Sequence, residues 1–414
     1  MEISNPLSDR SLVNRSQLPP LDAIVYSSMG LLVLLLGSWV PDARLNISGL
    51  PLDLILMAAS ALLATTGTIR ISTFKSIAIL QIPLVLTGIT LFWSLTPEIG
   101  LDKLTTLLIS GNLGFILFNT VIEKHGVDQL GKLIIFYLSL LLIVAIPYKL
   151  VNGFFDRSVN FFINGPIIFA RLMAIAAVLS IFFLRNRARI FSVIIFFLAV
   201  VWTESKGPIL ALTLTLISVA ILATNSRTRK RFCLGFVLIT LSVIWGFYYF
   251  DLGARDLGRV GIFYSVATGD LSAIEAYSSG GSLGGRIEMW SKTINLIPER
   301  PFGIGLGAWD RAIDTRLPTP YAHNIFLELW SETGVILGSF ASIPFLVFLF
   351  SPKKMFWFVA FCLFLAQMIS GDIGDARFLM VFGFLAYFAK PENSNLGNFS
   401  DLNKPIRSKQ LEFS

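Results

Sequence analysis

Apolar runs long enough to cross a lipid bilayer recur along nearly the whole chain, and they constrain its fold more than any other feature. Hydrophobic residues make up 54% of the sequence and charged residues only 14%, whereas a soluble domain usually carries about 25% charged residues. Segments of about 17–25 apolar residues span the hydrocarbon core as helices. We therefore expect an all-α polytopic membrane protein rather than a soluble fold.

Twelve apolar segments are predicted to be transmembrane helices, and one long polar insert separates the ninth from the tenth. The predicted helices are 22–40, 51–67, 76–95, 104–121, 132–149, 164–184, 190–203, 207–224, 232–250, 330–350, 355–371 and 377–389. This gives a domain plan of a segment 1–21, nine helices within 22–250, the insert 251–322, three helices within 323–390 and a polar tail 391–414. We expect short helices in the insert, because apolar residues recur there at helical spacing, and a disordered tail.

The distribution of Lys and Arg predicts the orientation of these helices, because cytoplasmic loops carry an excess of positive residues. With the N-terminus inside, nineteen Lys and Arg fall in cytoplasmic segments and six in short external loops. The six external ones are Arg44, Lys103, Lys149, Arg157, Lys206 and Arg377. We therefore expect both termini in the cytoplasm and the insert 251–322 in the periplasm. The first apolar run should remain as a helix, since it does not directly follow a basic start as in a signal peptide.

The net charge of +7 does not point to nucleic acid, because the basic residues lie mostly in short loops, without a basic stripe interleaved with aromatics.

The two cysteines, Cys233 and Cys362, both lie in apolar runs and fit helix packing. The two histidines, His125 and His323, fall on opposite sides of the membrane in the predicted topology. We therefore expect no metal site and no cofactor.

The insert contains an arginine suited to phosphate and a glycine-rich turn. Arg286 follows GGSLGG and opens an amphipathic pattern, and the guanidinium fork matches two phosphate oxygens. A solvated loop arginine is the alternative, which Arg300 and Arg311 nearby keep open. The GIGLG run (303–307) lacks the preceding strand and following helix of a dinucleotide-binding fold, so we interpret it as a tight turn.

His323 is the candidate general base. It precedes Asn324 at the start of an apolar helical pattern, where the helix dipole disfavours imidazolium and keeps the neutral form available to take a proton from a hydroxyl. The alternative is a hydrogen-bonded histidine at an interface. Asn324 could hold the loop or an acceptor sugar, and Tyr321 and Trp309 could stack on sugar faces, although packing is the favoured role for Trp309.

Two cations lie inside or beside predicted helices. Arg171 lies about two turns into a predicted span, where a cation costs about 2.5–3.5 kcal/mol on insertion scales. It should face a polar cavity that binds substrate. The alternatives are an ion pair with a carboxylate in the bundle and a side chain that extends to the membrane interface. Lys206 precedes Pro208 at a helix start, where free backbone N–H groups favour phosphate. The alternative for Lys206 is an ion pair with Glu204.

The last external turn, SGDIGDARF, contains Asp372 and Asp375 next to Arg377. These carboxylates could orient a substrate site, or they could pair locally with Arg377. We favour the local pairing.

Several of these elements together resemble the O-antigen ligase and polymerase superfamily. They are R-x3-W (Arg286 and Trp290), PERPFGIGLG, HN-x9-G from His323, TESKG before the eighth helix, and FINGPIIFAR. The resemblance covers the chain from about the third helix to the twelfth. Two positions depart from the pattern: Lys206 stands where the family usually has arginine, and Leu337 stands where a ligase prefers a small residue or tyrosine.

The resemblance implies a metal-independent, inverting glycosyl transfer at the periplasmic face of a bacterial inner membrane, within lipopolysaccharide biosynthesis. The donor would be a glycan on undecaprenyl pyrophosphate. The acceptor would be lipid A-core for a ligase or another lipid-linked glycan for a polymerase. It implies catalytic roles for His323, Arg286 and Lys206. The residues expected to contact substrate are Arg171, Tyr321, Asn324, Asp372 and Asp375. A lipid-linked glycan transporter is a third alternative, but such a protein would show symmetric halves.

Overall fold

The computed structural model describes residues 19–36, 46–47, 50–156, 158–162, 164–222, 282–313, 321–351 and 355–389. The predicted ninth helix (232–250), the first part of the insert (251–281), most of the N-terminal segment and the predicted disordered tail (391–414) lie outside the described residues. The expectations for these segments therefore remain predictions.

The described residues are predominantly helical. In the first part of the chain the helices are α1 (Leu21–Leu36), α2 (Leu52–Thr65), α3 (Ile71–Leu86), α4 (Pro97–Thr105), α5 (Gly111–His125), α6 (Val127–Asn152), α7 (Pro166–Phe183), α8 (Asn186–Trp202) and α9 (Lys206–Leu222). A 3₁₀ helix (Thr87–Trp93) continues α3, and a π-helical segment (Thr106–Ser110) joins α4 to α5. Two antiparallel strands of two residues each, Asn46–Ile47 and Leu50–Pro51, pair before α2.

The second part of the chain contains the helices of the insert and of the C-terminal region. They are α10 (Ser282–Glu299), α11 (Trp309–Ala312), α12 (Ile325–Thr333), α13 (Val335–Ala341), α14 (Ile343–Leu346), α15 (Met355–Ser370) and α16 (Arg377–Phe388). Two 3₁₀ segments, Val347–Phe350 and Gly374–Ala376, follow α14 and precede α16. α11, with four residues, fits the expectation of short helices in the insert, whereas α10 has 18 residues and is longer than expected.

Helical structure occupies eleven of the twelve predicted positions, and the ninth lies outside the described residues. Four helical stretches in the described part are long and apolar enough to cross a membrane: Ile71–Trp93, Pro97–His125, Val127–Asn152 and Pro166–Phe183. Four others, among them Lys206–Leu222 and Met355–Ser370, are apolar but shorter. The helical class is thus confirmed, whereas the number of membrane crossings remains a prediction.

The prediction of one continuous helix over 330–350 is wrong. Helical structure begins earlier, at Ile325, and breaks at Gly334, whose φ of 84° lies in the left-handed region. A Cβ at Gly334 would lie 2.4 Å from the carbonyl oxygen of Pro301. The backbone therefore turns at Gly334 because the insert approaches it too closely for any side chain, and short helices carry the chain to Phe350.

The burial of the helices distinguishes the centre of the bundle from its periphery. α7 is buried at every position from Ile168 to Ser180, and its alanines allow neighbouring helices to approach closely. α3 instead exposes Phe74, Ile79 and Ile82. An apolar helix that leaves such residues exposed fits a position against lipid.

The helix that runs from Pro97 to His125 separates two ends of the molecule. Its 29 residues correspond to about 40 Å at the rise of an α-helix. At its far end, the Nε2 atom of His125 lies 3.0 Å from the carboxylate of Asp22 at the start of α1. At its near end, the Thr96 hydroxyl donates to the carbonyl of Gly307 in the insert. The candidate site lies at this near end.

Candidate functional site

His323 lies in a short segment that is held from both sides. Its φ is 56°, and only 8% of the residue is exposed. The ring of Tyr321 meets the imidazole edge-on, with 4.6 Å between ring centroids. From the insert, the indole nitrogen of Trp290 donates to the carbonyl of Ala322 at 3.0 Å. The imidazole is therefore buried and held in a backbone conformation that non-glycine residues rarely adopt.

Asn324 fixes the start of α12. Its side-chain oxygen accepts from the backbone nitrogens of Phe326 and Leu327, at 3.0 and 3.2 Å, as a helix N-cap. Its amide nitrogen donates to the carbonyl of Met368 at 3.0 Å. These contacts give Asn324 the loop-holding role, and its predicted contact with an acceptor sugar remains a prediction.

Arg286 is brought to this end by α10. It is half-buried and lies one helical turn before Trp290, which holds the segment next to His323. A small apolar cluster of Met289, Trp309, Ile313 and Ala322 packs α10 against that segment. Trp309 is fully buried, so the prediction of a packing role for Trp309 is confirmed.

The glycine run is a tight turn, as predicted. Gly303, Gly305 and Gly307 have φ values of 77°, 96° and 85°. A Cβ at Gly305 would lie 2.4 Å from Ser94 Cα, and the other two positions are equally crowded by backbone. Glycine is thus required there both by conformation and by the close approach of neighbouring chain.

Hydrogen bonds anchor this glycine turn to the start of α4 and to the segment before it. The Ser94 hydroxyl donates to the Leu306 carbonyl at 2.7 Å, and the Leu306 nitrogen donates to the Thr90 hydroxyl at 3.1 Å. The Thr96 hydroxyl donates to the carbonyl of Gly307 at 2.7 Å. The end of α10 is therefore attached to the bundle.

Lys206 is the first residue of α9, so its predicted position at a helix start is observed, whereas anion binding there remains a prediction. It is half-buried. The neighbouring Gly207 abuts the end of α15, where a Cβ at Gly207 would lie 2.7 Å from the hydroxyl oxygen of Ser370. The carbonyl of Ser370 accepts a hydrogen bond of 2.5 Å from Arg171. Lys206 and Arg171 therefore both lie near the end of α15.

Arg171 is buried and paired. Its Nη1 atom lies 2.8 Å from Asp375, and 1% of the Arg171 side chain is exposed. Arg377 also approaches Asp375, at 3.4 Å, and donates to the carbonyl of Leu34 at 2.7 Å. The predicted local pairing of Asp375 with Arg377 is present, but Asp375 is shared with Arg171. Of the alternatives for Arg171, the structure shows the ion pair with a carboxylate, that of Asp375. A contact between Arg171 and substrate remains a prediction.

Asp372 lies in the same turn, between α15 and α16. Its Oδ1 atom accepts a hydrogen bond of 2.6 Å from the backbone nitrogen of Asp375. Burial, and then the nearby charge of Asp375, raise the pKa of Asp372 to about 6. Burial, reinforced by Asp372 and Asp375, also raises the pKa of Tyr321, so its phenol is neutral near pH 7.

The end of α15 contacts several of the predicted site residues or their neighbours in the chain. Asn324, next to His323, bonds Met368; Arg171 bonds Ser370. Lys206 is next to Gly207, which packs on Ser370. Arg286 approaches through the contact of Trp290 with Ala322. Residues that are distant in the sequence therefore come to one end of the bundle, beside the turn with Asp372 and Asp375.

The sequence analysis missed a buried ion network beside these residues. Lys103, counted as an external loop residue, is 8% exposed and lies 2.5 Å from Glu328 and 3.4 Å from Glu332. The spacing of Glu328 and Glu332, four residues apart in an otherwise uncharged helix, could have indicated this network. Two carboxylates on one face of a buried helix require a cationic partner. Lys149, also counted as a loop residue, is buried and donates to the carbonyls of Asp156 and Val159.

Two further features bear on what this end could bind. An apolar cavity of about 380 Å³ opens beside the start of α12, lined by Asn324, Phe326, Leu327, Trp330 and Met368. Within the part of the chain that the structure describes, no group of three or more His, Cys, Asp or Glu is arranged to hold a metal ion.

Comparison with protein families gives one match. Residues 191–341 match a family described as O-antigen ligase, and no curated protein sequence matches the chain. The matched segment contains Lys206, Arg286, His323 and Asn324, whereas Arg171 and the turn with Asp372 lie outside it. The match confirms the resemblance to the O-antigen ligase and polymerase superfamily, and it supports a function of that general type.

Proposed function

We propose that this protein is a membrane glycosyltransferase of the O-antigen ligase type. It moves a glycan from undecaprenyl pyrophosphate to a sugar hydroxyl of lipid A-core, at the periplasmic face of the bacterial inner membrane. The observation that carries the proposal is that the O-antigen ligase match contains Lys206, Arg286 and His323. Contacts of their neighbours Gly207, Trp290 and Asn324 support one shared site for the three.

The chemistry requires stabilisation of an anionic leaving group. As the glycosidic bond breaks, its electron pair goes to the lipid pyrophosphate, which already carries negative charge. Arg286 and Lys206 are the cations assigned to hold it, and fixed charges in a site shielded from water contribute several kcal/mol to such a transition state. Arg171 has a smaller assigned role, because Asp375 already neutralises it at 2.8 Å. In this mechanism no divalent metal is needed.

His323 is assigned as the general base. The acceptor hydroxyl attacks the anomeric carbon from the face opposite the pyrophosphate, so the configuration inverts. The new C–O bond forms while the old one breaks, and the hydroxyl proton passes to the neutral imidazole. Such proton transfer typically contributes about 10²–10⁴-fold to the rate. The burial of His323 against Tyr321 supports this role, because it restricts the orientation of the ring.

The substrates are lipid-linked, and the apolar cavity beside the start of α12 suits an acyl or prenyl chain. It lies next to Asn324, one residue from His323, and its other lining residues are apolar or aromatic. This arrangement supports a lipid-linked donor or acceptor rather than a soluble sugar nucleotide.

The second candidate is a polymerase that extends a lipid-linked glycan, and Leu337 favours it because this position departs from the ligase pattern. The same residues would then serve the same bond formation with a different acceptor. A transporter, the third alternative, predicts symmetric halves, whereas Arg171 and Asn324 both donate to carbonyls at the end of one helix, α15.

A transfer assay tests the proposal. Purified protein receives a glycan on undecaprenyl pyrophosphate together with either lipid A-core or a second lipid-linked glycan, with and without EDTA. We expect a single transferred block on lipid A-core that is unaffected by EDTA. A ladder of lengths on the lipid carrier would establish the polymerase instead, and loss of transfer in EDTA would refute the metal-independent mechanism. No transfer with either acceptor would refute both enzyme functions.

A further inference from the structure

The buried ion network of Lys103, Glu328 and Glu332 joins α4 to α12, the helix that begins beside His323. None of the three side chains is more than 9% exposed. The ammonium of Lys103 lies 2.5 Å from Glu328 Oε1 and 3.4 Å from Glu332 Oε1. A buried ion pair is costly to desolvate and gains little stability over apolar packing.

Glu332 holds the glycine turn with both its side chain and its backbone. Its Oε2 atom accepts from the nitrogen of Gly307 at 2.9 Å, and its carbonyl accepts from the nitrogen of Gly305 at 2.9 Å. One residue earlier, the carbonyl of Ser331 accepts from the nitrogen of Ile304 at 2.9 Å. The turn at the end of α10 is therefore attached to the C-terminal part of α12.

α12 leads from this network to the candidate site, and α10 leads there from the glycine turn that Glu332 binds. α12 begins at the Asn324 cap beside His323, and Asn324, Glu328 and Glu332 follow one another at intervals of four residues on one helical face. α10 ends just before the glycine turn and contains Arg286 near its other end. A shift of the turn against α12 would therefore change the position of Arg286 relative to His323.

We propose that Lys103, Glu328 and Glu332 are positioning residues, whose buried ion network fixes the glycine turn and α10, and hence Arg286, relative to the helix that begins beside His323. The catalytic part of this inference rests on the proposed function; the mechanical part does not. Misplacement of a reacting group by about 1 Å can lower a rate 10²-fold. Loss of the network should therefore lower kcat in protein that is still folded.

The test compares Glu332→Gln with Glu123→Gln in purified full-length protein. Glu332→Gln keeps an oxygen that can accept from Gly307 but removes the charge facing Lys103. Glu123 pairs with Arg70 near the opposite end of the bundle, at 3.3 Å, and serves as the matched control. For each variant, hydrogen exchange of the peptide 303–308 and the kcat and KM for glycan transfer are measured, and kcat is normalised to the folded fraction.

We expect faster exchange of 303–308 and a kcat lower by roughly 10- to 10²-fold in Glu332→Gln, with a smaller change in KM and no change in Glu123→Gln. The triple variant Lys103→Met/Glu328→Gln/Glu332→Gln removes all three charges together, so that no buried charge is left unpaired. We expect this variant to fold and to have the same low kcat.

Three outcomes are distinguishable. A triple variant with wild-type exchange or wild-type kcat would overturn the positioning role, because the network would then serve stability alone. Loss of thermal stability in Glu332→Gln with kcat per folded molecule unchanged would overturn it as well. If the wild-type protein transfers no glycan but exchange rises in Glu332→Gln, the proposed function fails and the mechanical part of the inference stands.

Discussion

At the level of single residues, each buried charge near the site has an identifiable partner. Arg171 and Arg377 share Asp375, and Lys103 bridges two glutamates. Lys206 and Arg286 differ from these cations because they are half-buried rather than fully enclosed. A cation that is half-buried remains accessible to an anionic substrate, whereas a fully enclosed cation does not.

His323→Ala should abolish glycan transfer while the protein still inserts and folds. The expected loss is about 10²–10⁴-fold in kcat, because proton removal from the acceptor hydroxyl would lack its base. The matched control is His125→Ala, at the other end of the bundle, which should leave transfer unchanged. The measurement is transfer by equal amounts of folded protein, and normal product from His323→Ala would remove His323 as the base.

The two half-buried cations should respond differently to substitution. Arg286→Ala should lower kcat by about 10²–10³-fold, as loss of one oxyanion-stabilising group does. Arg286→Lys should retain partial activity, because the charge remains but the bidentate fork is lost. Lys206→Arg should keep activity if the site needs only charge at that position. Steady-state kinetics test this, with the exposed Arg311 changed to alanine as control; full activity of Arg286→Ala would contradict the assignment.

Asp372 should make the stability of the protein depend on pH. The pKa of Asp372 is raised in the folded state to about 6 from an ordinary value of 3.8, so between these values the folded state binds more protons than the unfolded state. The contribution of this group to stability therefore falls as pH rises through that window. Thermal unfolding measured from pH 4 to pH 7 should show a weaker fall in Asp372→Asn. An identical pH profile in the variant would show that the pKa of Asp372 is not raised in the folded state.

At the level of elements, the sequence predicted most helices but not where they are interrupted. Apolar periodicity and length locate a helix, and both were sufficient at α5, α6 and α7. The break at Gly334 depends on Pro301, which is far away in the sequence. A single glycine in an apolar segment is compatible with a continuous helix or with a turn, and only tertiary contact decides between them.

The glycine turn offers a test at this scale. In Gly305→Ala the new methyl group would lie 2.4 Å from Ser94 Cα, at a φ of 96°. Strain of this kind costs about 1–3 kcal/mol from backbone conformation alone. We expect a lower unfolding temperature and reduced transfer. Gly165→Ala is the control, because its φ is −67° and no atom lies within 4 Å of the added Cβ. Equal stability of both variants would contradict the packing of the turn.

At the level of the whole molecule, the pairing of distant residues was beyond prediction from one sequence. Arg171 was recognised as unusual because a cation lies in an apolar helix, but its partner Asp375 is 204 residues later. Lys103 was misassigned to solvent because it lies near a predicted helix end, where long cationic side chains usually reach water. Sequence motifs selected the candidate site residues, whereas the ion network of Lys103, Glu328 and Glu332 became visible only in the fold.

The sidedness of the molecule can be tested directly, and it decides whether the site faces the periplasm. Phe302, beside the glycine turn, is 80% exposed, and Asp128 lies just past the far end of the helix that runs from Pro97 to His125. The excess of Lys and Arg on the far side predicts that this side is cytoplasmic. In a background without Cys233 and Cys362, Phe302→Cys should react with a membrane-impermeant maleimide in intact spheroplasts, whereas Asp128→Cys should react only after permeabilisation. The opposite labelling pattern would place His323 and Arg286 in the cytoplasm, where a glycan on the periplasmic leaflet cannot reach them, and would end the proposed function.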